Sequence, residues 1–424
     1  MAVTVPLFAL LPGPAGGRGF LWDFAMALGY AGLAMLGVLF ALTARFRRAT
    51  APFGIDIVYY FHRYLALLAV AVVVGHYLIV RAAYPAALGN AELATAPPYM
   101  TAGRVALLLF VLIAASSLAR KSLRFGYDNW RITHALAAVV AFGAALAHQH
   151  GAAGYLDTGW KRALWAGYGG FWLALIVYVR LARPAHLARR PWKVIDVRAE
   201  RGRVTTLTLE PARPDAPFLF APGQFAWLTL HKSPYSMHEH PFSIASSAER
   251  PQRIELSIKE LGDFTSTIKD VKPGETAWID APYGTFGIDE VPDAAGYAFV
   301  AGGVGIAPIL SMLRTLADRG DRRPLVLFYG NRVWDRVAFR EELDALSKRL
   351  DLTVVHVLLE PPPQWRGECG FVTEDALMRH LPVTRHRFEY FLCGPTPMTK
   401  GVERALTALG VPVARVHSEI FDWV

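Results

Sequence analysis

Cysteine and charge are both scarce in this sequence. Cys369 and Cys393 are the only cysteines among 424 residues, so the chain has neither a disulfide framework nor a CxxC metal site. Charged residues make up 19% of the chain and hydrophobic residues 53%, a balance too apolar for an ordinary soluble protein. The net charge of +9 comes from basic residues that cluster where apolar segments end, which favours a membrane topology over nucleic-acid binding. We therefore expect a membrane protein with polar domains and no nucleic-acid partner.

The N-terminus lacks basic residues ahead of its apolar run, which extends from Val3 to Leu11 and is broken by Pro12 and Pro14. A secretory signal peptide needs a basic region there, so we expect no cleavage and treat residues 1–19 as a separate N-terminal segment. Whether this segment forms a further membrane span stays open at this stage.

Five later apolar segments are long enough to cross a bilayer, at residues 20–42, 55–80, 101–119, 130–150 and 161–182. Basic residues follow the first, third and fifth of them: Arg45, Arg47 and Arg48; Arg120, Lys121 and Arg124; and Arg183, Arg189, Arg190 and Lys193. The positive-inside rule puts these residues in the cytoplasm and the loops 81–100 and 151–160 outside. We predict a multi-pass protein of the inner (plasma) membrane, with a helical bundle over residues 20–183 and cytoplasmic polar domains.

Two of these segments each carry a pair of histidines fourteen residues apart, His62 with His76 and His134 with His148. Fourteen residues of helix advance about 21 Å and nearly four turns, so each pair shares one face at two depths. Histidine within hydrocarbon usually faces a bundle interior or a cofactor, and imidazole is a common axial ligand of haem iron. We predict two b-type haems, one held by His62 and His134 near the cytoplasm and one by His76 and His148 near the outer face.

For each of these histidines taken alone, hydrogen bonding between helices is the alternative role. His150 lies sixteen residues after His134, about 160° away from that face, and we expect it on the outer surface of the bundle. Arg63 and Arg131, at the inner ends of the two segments, are candidates either for pairing with haem propionates or for anchoring at the membrane interface.

The pattern changes after Pro191 to short alternating segments separated by turns, which predict strands at residues 192–197, 204–209, 225–230 and 253–258. Strands without intervening helices predict a small antiparallel β-barrel over residues 190–292. Over residues 294–424 the strands alternate with helices, at 297–301, 308–316, 325–329, 335–350, 352–358 and 390–393. This rhythm predicts an α/β nucleotide-binding domain, which makes the fold class an all-α transmembrane haem bundle followed by a β-barrel and an α/β domain.

A glycine-rich turn, Gly302, Gly303 and Gly305, lies between the first strand of the α/β domain and the helix that contains Pro308. Glycine there lets backbone amides approach a pyrophosphate, and the helix N-terminus favours an anion. Packing alone would also account for a single turn of this kind.

Three further motifs accompany this turn: His240-Pro241-Phe242-Ser243; Lys259 with Gly262, Asp263 and Thr265; and Cys393-Gly394-Pro395. In this order the motifs resemble the flavin and nicotinamide segments of the ferredoxin-NADP reductase superfamily. Together with the paired histidines, they make almost the whole chain resemble the ferric reductase and NADPH oxidase superfamily.

The resemblance implies that NAD(P)H passes hydride to FAD near Ser243 and Cys393, and that single electrons then pass through the two haems to an acceptor on the outer face. Flavin suits this position because it accepts two electrons and releases one at a time. The resemblance also implies an aromatic ring that covers the flavin near the C-terminus, where Phe421 fits and Trp423 is the competing candidate.

The sequence constrains the identity of the nucleotide and that of the electron acceptor less tightly. Arg332, with Arg336 nearby, supplies guanidinium partners for a ribose phosphate and favours NADPH over NADH, the alternative being that both arginines sit on a solvated loop. Ferric or other metal chelates are the expected acceptor, because the sequence contains no calcium-binding motif or regulatory segment. The alternatives are dioxygen reduced to superoxide, a periplasmic protein that accepts the electrons, a non-enzymatic haem-binding membrane module, and a transporter with a histidine proton relay.

Overall fold

The computed structural model describes residues 19–46, 55–90, 92, 95–120, 122–152, 154–213 and 217–419. Phe421, Trp423, the run from Val3 to Leu11, and the basic residues Arg47, Arg48 and Lys121 lie outside the described residues. The chain divides into two compact units, a helical one that extends to Pro184 and a second one that begins at Ala185.

The helical unit contains five helices that are long and apolar enough to cross a membrane, counted over the described residues. They are α1 (Phe20–Thr43), α2 (Ile55–Ala83), α3 (Pro98–Ala119), α4 (Tyr127–Ala152) and α5 (Gly159–Val177). All five agree with the segments predicted from hydropathy. Helix α5 passes through a π-helical turn, Tyr178–Ala182, into α6 (Arg183–Ala188), so it extends beyond its predicted end at residue 182.

Small residues bring the helices of this unit close together. Ala34, Ala69 and Ala141 are completely buried, and a side chain at Gly37 would collide with the Trp172 ring. Such contacts replace the hydrophobic effect as a source of helix association in lipid. The Tyr168 hydroxyl adds a hydrogen bond to the Ala34 carbonyl oxygen, at 2.7 Å.

The second unit begins with a six-stranded antiparallel sheet in the order β4-β3-β6-β1-β2-β5. The strands are β1 (Trp192–Glu200), β2 (Val204–Pro211), β3 (Phe225–Leu230), β4 (His240–Ser243), β5 (Ile254–Lys259) and β6 (Thr276–Tyr283). The sheet curls until its two edges meet at a single bridge between Ile244 and Leu256, and it encloses a core that includes Val194, Leu207 and Leu228. The predicted antiparallel sheet domain is thus confirmed, and a single bridge rather than a ladder joins its two edges. A short helix, α7 (Asp263–Thr267), follows β5.

A six-stranded parallel sheet follows, in the order β10-β9-β8-β7-β11-β12. Its strands are β7 (Tyr297–Gly302), β8 (Leu325–Asn331), β9 (Leu352–Leu358), β10 (Glu368–Cys369), β11 (Glu389–Cys393) and β12 (Val416–Glu419). Its helices are α8 (Ile306–Arg319), α9 (Arg340–Ser347), α10 (Glu374–His380) and α11 (Thr396–Ala408). The first strand, β7, lies in the middle and the chain extends the sheet first on one side and then on the other. This order puts a topological switch point between β7 and β11, which is where open α/β sheets bind ligands.

One helix boundary was predicted wrongly. The helix expected at residues 335–350 begins only at Arg340 and ends at Ser347. Trp334–Arg336 forms a separate 3₁₀ turn, and Phe339 has a left-handed backbone (φ 60°) that a right-handed helix cannot include. Val337 and Phe339 are buried in the domain core, so packing holds this segment against the helical preference of the surrounding sequence.

Candidate functional site

The four paired histidines of the helical unit meet at two levels. The rings of His62 and His134 have centroids 6.4 Å apart, and His76 lies near His148 at the other level. The levels are separated by fourteen residues of helix, about 21 Å. The structure therefore brings together the pairs that the topology predicted, and it leaves His150 exposed.

The outer pair is held by backbone carbonyls of neighbouring helices. Nδ1 of His76 lies 2.8 Å from the carbonyl oxygen of Ala25 on α1, and Nδ1 of His148 lies 3.0 Å from that of Tyr99 on α3. A carbonyl oxygen only accepts, so the proton of each imidazole must be on Nδ1. The lone pair is then on Nε2, which is the arrangement found where a histidine ligates a metal through Nε2.

Two glycines make this support sterically feasible, and sequence reasoning missed both. A Cβ at Gly103 would lie 2.6 Å from Nδ1 of His148, and a Cβ at Gly29 would lie 3.1 Å from Nδ1 of His76. Each glycine follows the accepting carbonyl residue of its own helix by four residues, Ala25 to Gly29 and Tyr99 to Gly103. The same arrangement thus occurs twice, and only the tertiary packing reveals it.

The inner pair has different supports. Nδ1 of His134 lies 3.3 Å from the hydroxyl of Ser117, which itself donates to the carbonyl of Ile113 at 2.6 Å. The serine therefore accepts from His134, which again leaves Nε2 available. The Leu39 carbonyl lies near the His62 ring, but Nδ1 of His62 is buried and forms no hydrogen bond within normal geometry.

These pairs fit a metal with two protein ligands. Two imidazoles bonded to one metal ion at about 2 Å place their ring centroids about 6 Å apart, which is close to the separation of His62 and His134. No group of three or more His, Cys, Asp or Glu that could hold a metal occurs among the described residues. His62 with His134, and His76 with His148, are the residues that would hold a haem iron here.

In the second unit, the two segments predicted to bind flavin are in contact. The ring of His240 stacks on that of Phe264 at 3.9 Å, and Phe242 lies beside the same ring at 6.1 Å. Ser243 lies opposite Phe225 on the neighbouring strand β3. The Thr265 hydroxyl accepts hydrogen bonds from the backbone N–H groups of Leu261 and Gly262, both at 2.8 Å, so it shapes the turn that precedes α7.

The glycine-rich turn and the Cys393-Gly394-Pro395 motif meet at the carboxyl ends of β7 and β11. A Cβ at Gly305 would overlap the carbonyl oxygen of Cys393, and a Cβ at Gly302 would lie 2.8 Å from Pro395. Gly303 has a positive φ of 55°. Only glycine allows two backbones to approach this closely, and the shared location is the switch point of the sheet.

Positive charge surrounds this turn. Nζ of Lys259 lies 3.5 Å from the position that a Cβ would take on Gly303. Burial, followed by the neighbouring Arg336 and Arg203, lowers the pKa of Lys259 below its ordinary value. A cation held among other cations and next to backbone amides is well placed to bind a phosphate group.

Three protein families match successive parts of the chain. Residues 28–145 match the ferric reductase like transmembrane component, residues 192–285 an FAD-binding domain, and residues 299–404 an oxidoreductase NAD-binding domain. The chain has the fused architecture of the ferric reductase and NADPH oxidase superfamily. These matches assign FAD-binding and NAD-binding domains to the chain, and the five apolar helices agree with a multi-pass membrane protein.

Individual relatives of this ferric-reductase-type chain match its reductase half. It is 31% identical over 185 residues to NADH-cytochrome b5 reductase 1 of Pyricularia oryzae, covering 42% of this chain and 60% of that protein. It is 31% identical over 227 residues to the reductase component of propane 2-monooxygenase of Rhodococcus jostii, covering 51% of this chain and 60% of that protein. The chain thus spans about 60% of the length of these relatives.

One solved structure shares the fold over nearly the whole chain. The flavohemoglobin of Malassezia yamatoensis, solved with bound FAD and heme, covers 99% of both chains at 16% identity, with a TM-score of 0.50. At this level of identity the likeness concerns the fold alone.

Within the oxidoreductase NAD-binding domain, Cys393 is completely buried at the end of β11. Burial, and then the nearby Glu419 carboxylate, raises the pKa of its thiol, so the group stays protonated and is no nucleophile. The Glu419 carboxylate also lies 3.9 Å from the position of a Cβ on Gly284, which itself packs against Phe225. Glu419 therefore lies between the predicted nicotinamide and flavin segments, a position that sequence reasoning missed because β12 was not predicted.

Arg332, Arg63 and Arg131 have partners in the structure. Arg332 is 65% exposed and pairs with Glu360 at 2.8 Å through both Nε and Nη2. Arg332 would favour the phosphorylated ribose of NADPH. An acidic group at the same place, here Glu360, would favour the unphosphorylated ribose of NADH. Arg63 and Arg131 lie over the rings of Tyr64 and Tyr127, each at 5.9 Å, as interfacial anchors do.

Proposed function

We propose that this oxidoreductase passes electrons from cytoplasmic NAD(P)H through FAD and two b-type haems to an acceptor at the outer face of the membrane, with ferric chelates as the acceptor. The observation that carries the proposal is the support of His76 and His148 by the carbonyls of Ala25 and Tyr99. One such bond would also serve a histidine that only bridges two helices, so the argument rests on the pair. Here two facing histidines use Nδ1 in the same way and keep Nε2 for a shared ligand.

Each part of the chain has a distinct task in this proposal. The Gly302–Gly305 turn and Lys259 bind the nucleotide phosphates, and Cys393 and Glu419 line the nicotinamide side. His240 to Ser243 and Gly262 to Thr265 hold the flavin, which when bound accepts a hydride and releases electrons singly. His62 with His134 and His76 with His148 hold the haems, which when bound carry one electron each across the membrane.

The basic residues at the helix ends indicate how the bundle is oriented in the membrane, and hence the direction of electron flow. Arg45, Arg120, Arg124 and Arg183 follow α1, α3 and α5, which supports a cytoplasmic location for these helix ends. The inner haem is then the one held by His62 and His134. An electron that moves outward across a potential of about 100 mV, negative inside, releases about 2.3 kcal/mol.

The first experiment is an absorbance titration of the detergent-purified protein before and after anaerobic NADH or NADPH. The wild type is compared with His76→Ala and with the matched control His150→Ala, which removes an exposed histidine from the same end of the bundle. We expect two haems per chain in the wild type and the control, one in His76→Ala, and reduction of haem only with FAD present. Absence of haem, or haem that stays oxidised with both cofactors present, would refute the proposal.

The acceptor is tested in reconstituted vesicles that carry NADPH inside. We expect ferric citrate outside to be reduced at a rate that superoxide dismutase does not change. A signal that requires dioxygen and disappears with the dismutase would instead assign the chain to the superoxide-producing branch.

A further inference from the structure

The nucleotide-binding helix and the flavin-binding strand are joined by a set of hydrogen bonds that no motif accounts for. Helix α8 begins directly after the Gly302–Gly305 turn. Ser311, Arg314 and Thr315 lie on one face of this helix, at the spacing i, i+3 and i+4. All three bond to the segment 245–248, which follows the flavin strand β4.

The three hydrogen bonds reach residues 245, 246 and 248 of this segment. Arg314 donates to the Ala245 carbonyl oxygen at 2.8 Å, and the Ser311 hydroxyl donates to the Ser246 carbonyl oxygen at 2.7 Å. The backbone N–H of Ala248 donates to the Thr315 hydroxyl at 3.0 Å. Three consecutive contacts of this kind fix the register, the distance and the angle between a helix and a strand, whereas one contact would allow rotation.

Arg314 is the centre of this arrangement. Its guanidinium binds Glu342 of α9 bidentately, at 2.6 Å and 2.8 Å, and it also binds Glu255 of β5 at 2.8 Å. Only 14% of its side chain is exposed. The planar guanidinium therefore joins the flavin sheet, the nucleotide-binding helix and α9 through one side chain, a geometry that a lysine ammonium cannot reproduce.

The distances from these bonds to the predicted chemistry are short. Ser311 is six residues beyond Gly305, about 9 Å along a helix, and Ala245 is two residues beyond Ser243, about 7 Å along a strand. The first connection is helical, and the second passes through Ile244 and Ala245, which are completely buried just beyond β4. Close packing of this kind transmits a displacement with little loss. A shift of about 1 Å between hydride donor and acceptor can slow a reaction by about 100-fold.

We propose that Ser311, Arg314 and Thr315 form a latch that sets the position of the nicotinamide relative to the flavin, with Arg314 as its positioning residue. This inference rests on the reductase half of the proposed function, and it concerns hydride transfer alone. The hydride moves with its electron pair from the nicotinamide to the flavin, and no proton from the latch takes part. The latch therefore affects the rate of flavin reduction and leaves the later transfer of electrons to haem unchanged.

The test compares Arg314→Lys with the matched control Arg349→Lys. Among the described residues, Arg349 bonds within the nucleotide domain, to Asp318 and the Ala317 carbonyl, both at about 3 Å. The full-length protein is mixed anaerobically with NADH, and the rate of flavin bleaching is measured together with the affinity for NADH and the FAD content. We expect bleaching to slow by about tenfold or more in Arg314→Lys, with NADH affinity and FAD content unchanged within about threefold. The control should bleach at the wild-type rate.

Two further measurements separate positioning from general damage. Haem reduction that follows photoreduction of the flavin should proceed at the wild-type rate in Arg314→Lys. Ser311→Ala removes one neutral hydrogen bond and should slow bleaching by about threefold, which keeps the test valid if Arg314→Lys does not fold. Equal bleaching rates in Arg314→Lys, Ser311→Ala and the control would overturn the latch alone. Absence of flavin bleaching in the wild type, with either nucleotide, would overturn the proposed function and the latch with it.

Discussion

Substitution of Gly103 by alanine tests the haem proposal without removing a ligand. The added Cβ would lie 2.6 Å from Nδ1 of His148, whereas ordinary contact begins at 3.4 Å, so the ring must withdraw by 0.8 Å. The same withdrawal lengthens the bond from Nδ1 to the Tyr99 carbonyl, now 3.0 Å, beyond hydrogen-bonding range. At Gly29 the corresponding contact is 3.1 Å and needs a shift of only 0.3 Å, which the 2.8 Å bond to Ala25 can absorb.

The lost hydrogen bond costs about 0.5–1.5 kcal/mol and the crowding about 1–3 kcal/mol. Because about 1.4 kcal/mol corresponds to a factor of ten, these costs together predict that the Gly103→Ala protein binds the outer haem about tenfold to thousandfold more weakly. Gly29→Ala should have a much smaller effect. Gly167→Ala, on α5 with open space around the added Cβ, is the control.

The assay is haem per chain in the detergent-purified proteins, followed by a reductive titration that resolves the two haems. The expected order of haem loss is Gly103→Ala first, then Gly29→Ala, with Gly167→Ala equal to the wild type. Full haem content and an unchanged titration in Gly103→Ala would refute the argument that the Tyr99 carbonyl orients His148.

Three further predictions concern the reductase half. Arg332→Ala should raise the KM for NADPH about fivefold with little change for NADH, and Glu360→Gln should lower the KM for NADPH; equal changes for both nucleotides would contradict this. The lowered pKa of Lys259 means that this side chain loses its proton at a lower pH than an ordinary lysine, so the KM for NADH should rise at alkaline pH. Lys259→Arg should move that rise to higher pH. An unchanged pH profile would exclude Lys259 as a phosphate-binding residue. Gly305→Ala should slow NADH-driven flavin bleaching by about 100-fold with haem content intact, since its Cβ would overlap the Cys393 carbonyl, while Gly401→Ala, with open space around it, should match the wild type.

The large features of the fold could be predicted because each has a long or repeated signal. The five spans follow from hydropathy alone, and the parallel strands from short apolar runs between helices. The strands β6 and β12 were missed because neither has an alternating pattern: Thr276–Tyr283 is buried on parts of both faces, and Val416–Glu419 is only four residues long. Their positions depend on neighbours that are distant in sequence.

The motifs of the candidate site could be predicted from the sequence, whereas the residues that support them could not. His62, His76, His134 and His148 stand out because of their spacing. Gly29 and Gly103 do not, since a glycine in an apolar helix has many reasons to be there, and only the tertiary packing shows which imidazole it faces. Arg314 is hidden for the same reason: it lies in an ordinary amphipathic helix, and its carboxylate partners are 59 and 28 residues away.

The carbonyl and glycine supports also have a consequence for assembly. His76 is oriented by α1, and His148 by α3, so each half of the outer site is built within one pair of consecutive helices. A haem that bonds both histidines would bridge the pair α1 and α2 to the pair α3 and α4. Haem binding would then stabilise the folded bundle. A ligand that binds only the folded state adds stability in proportion to the logarithm of the ligand's concentration. Cells starved of haem should therefore accumulate less of this protein, and the purified apoprotein should melt at a lower temperature than the loaded one.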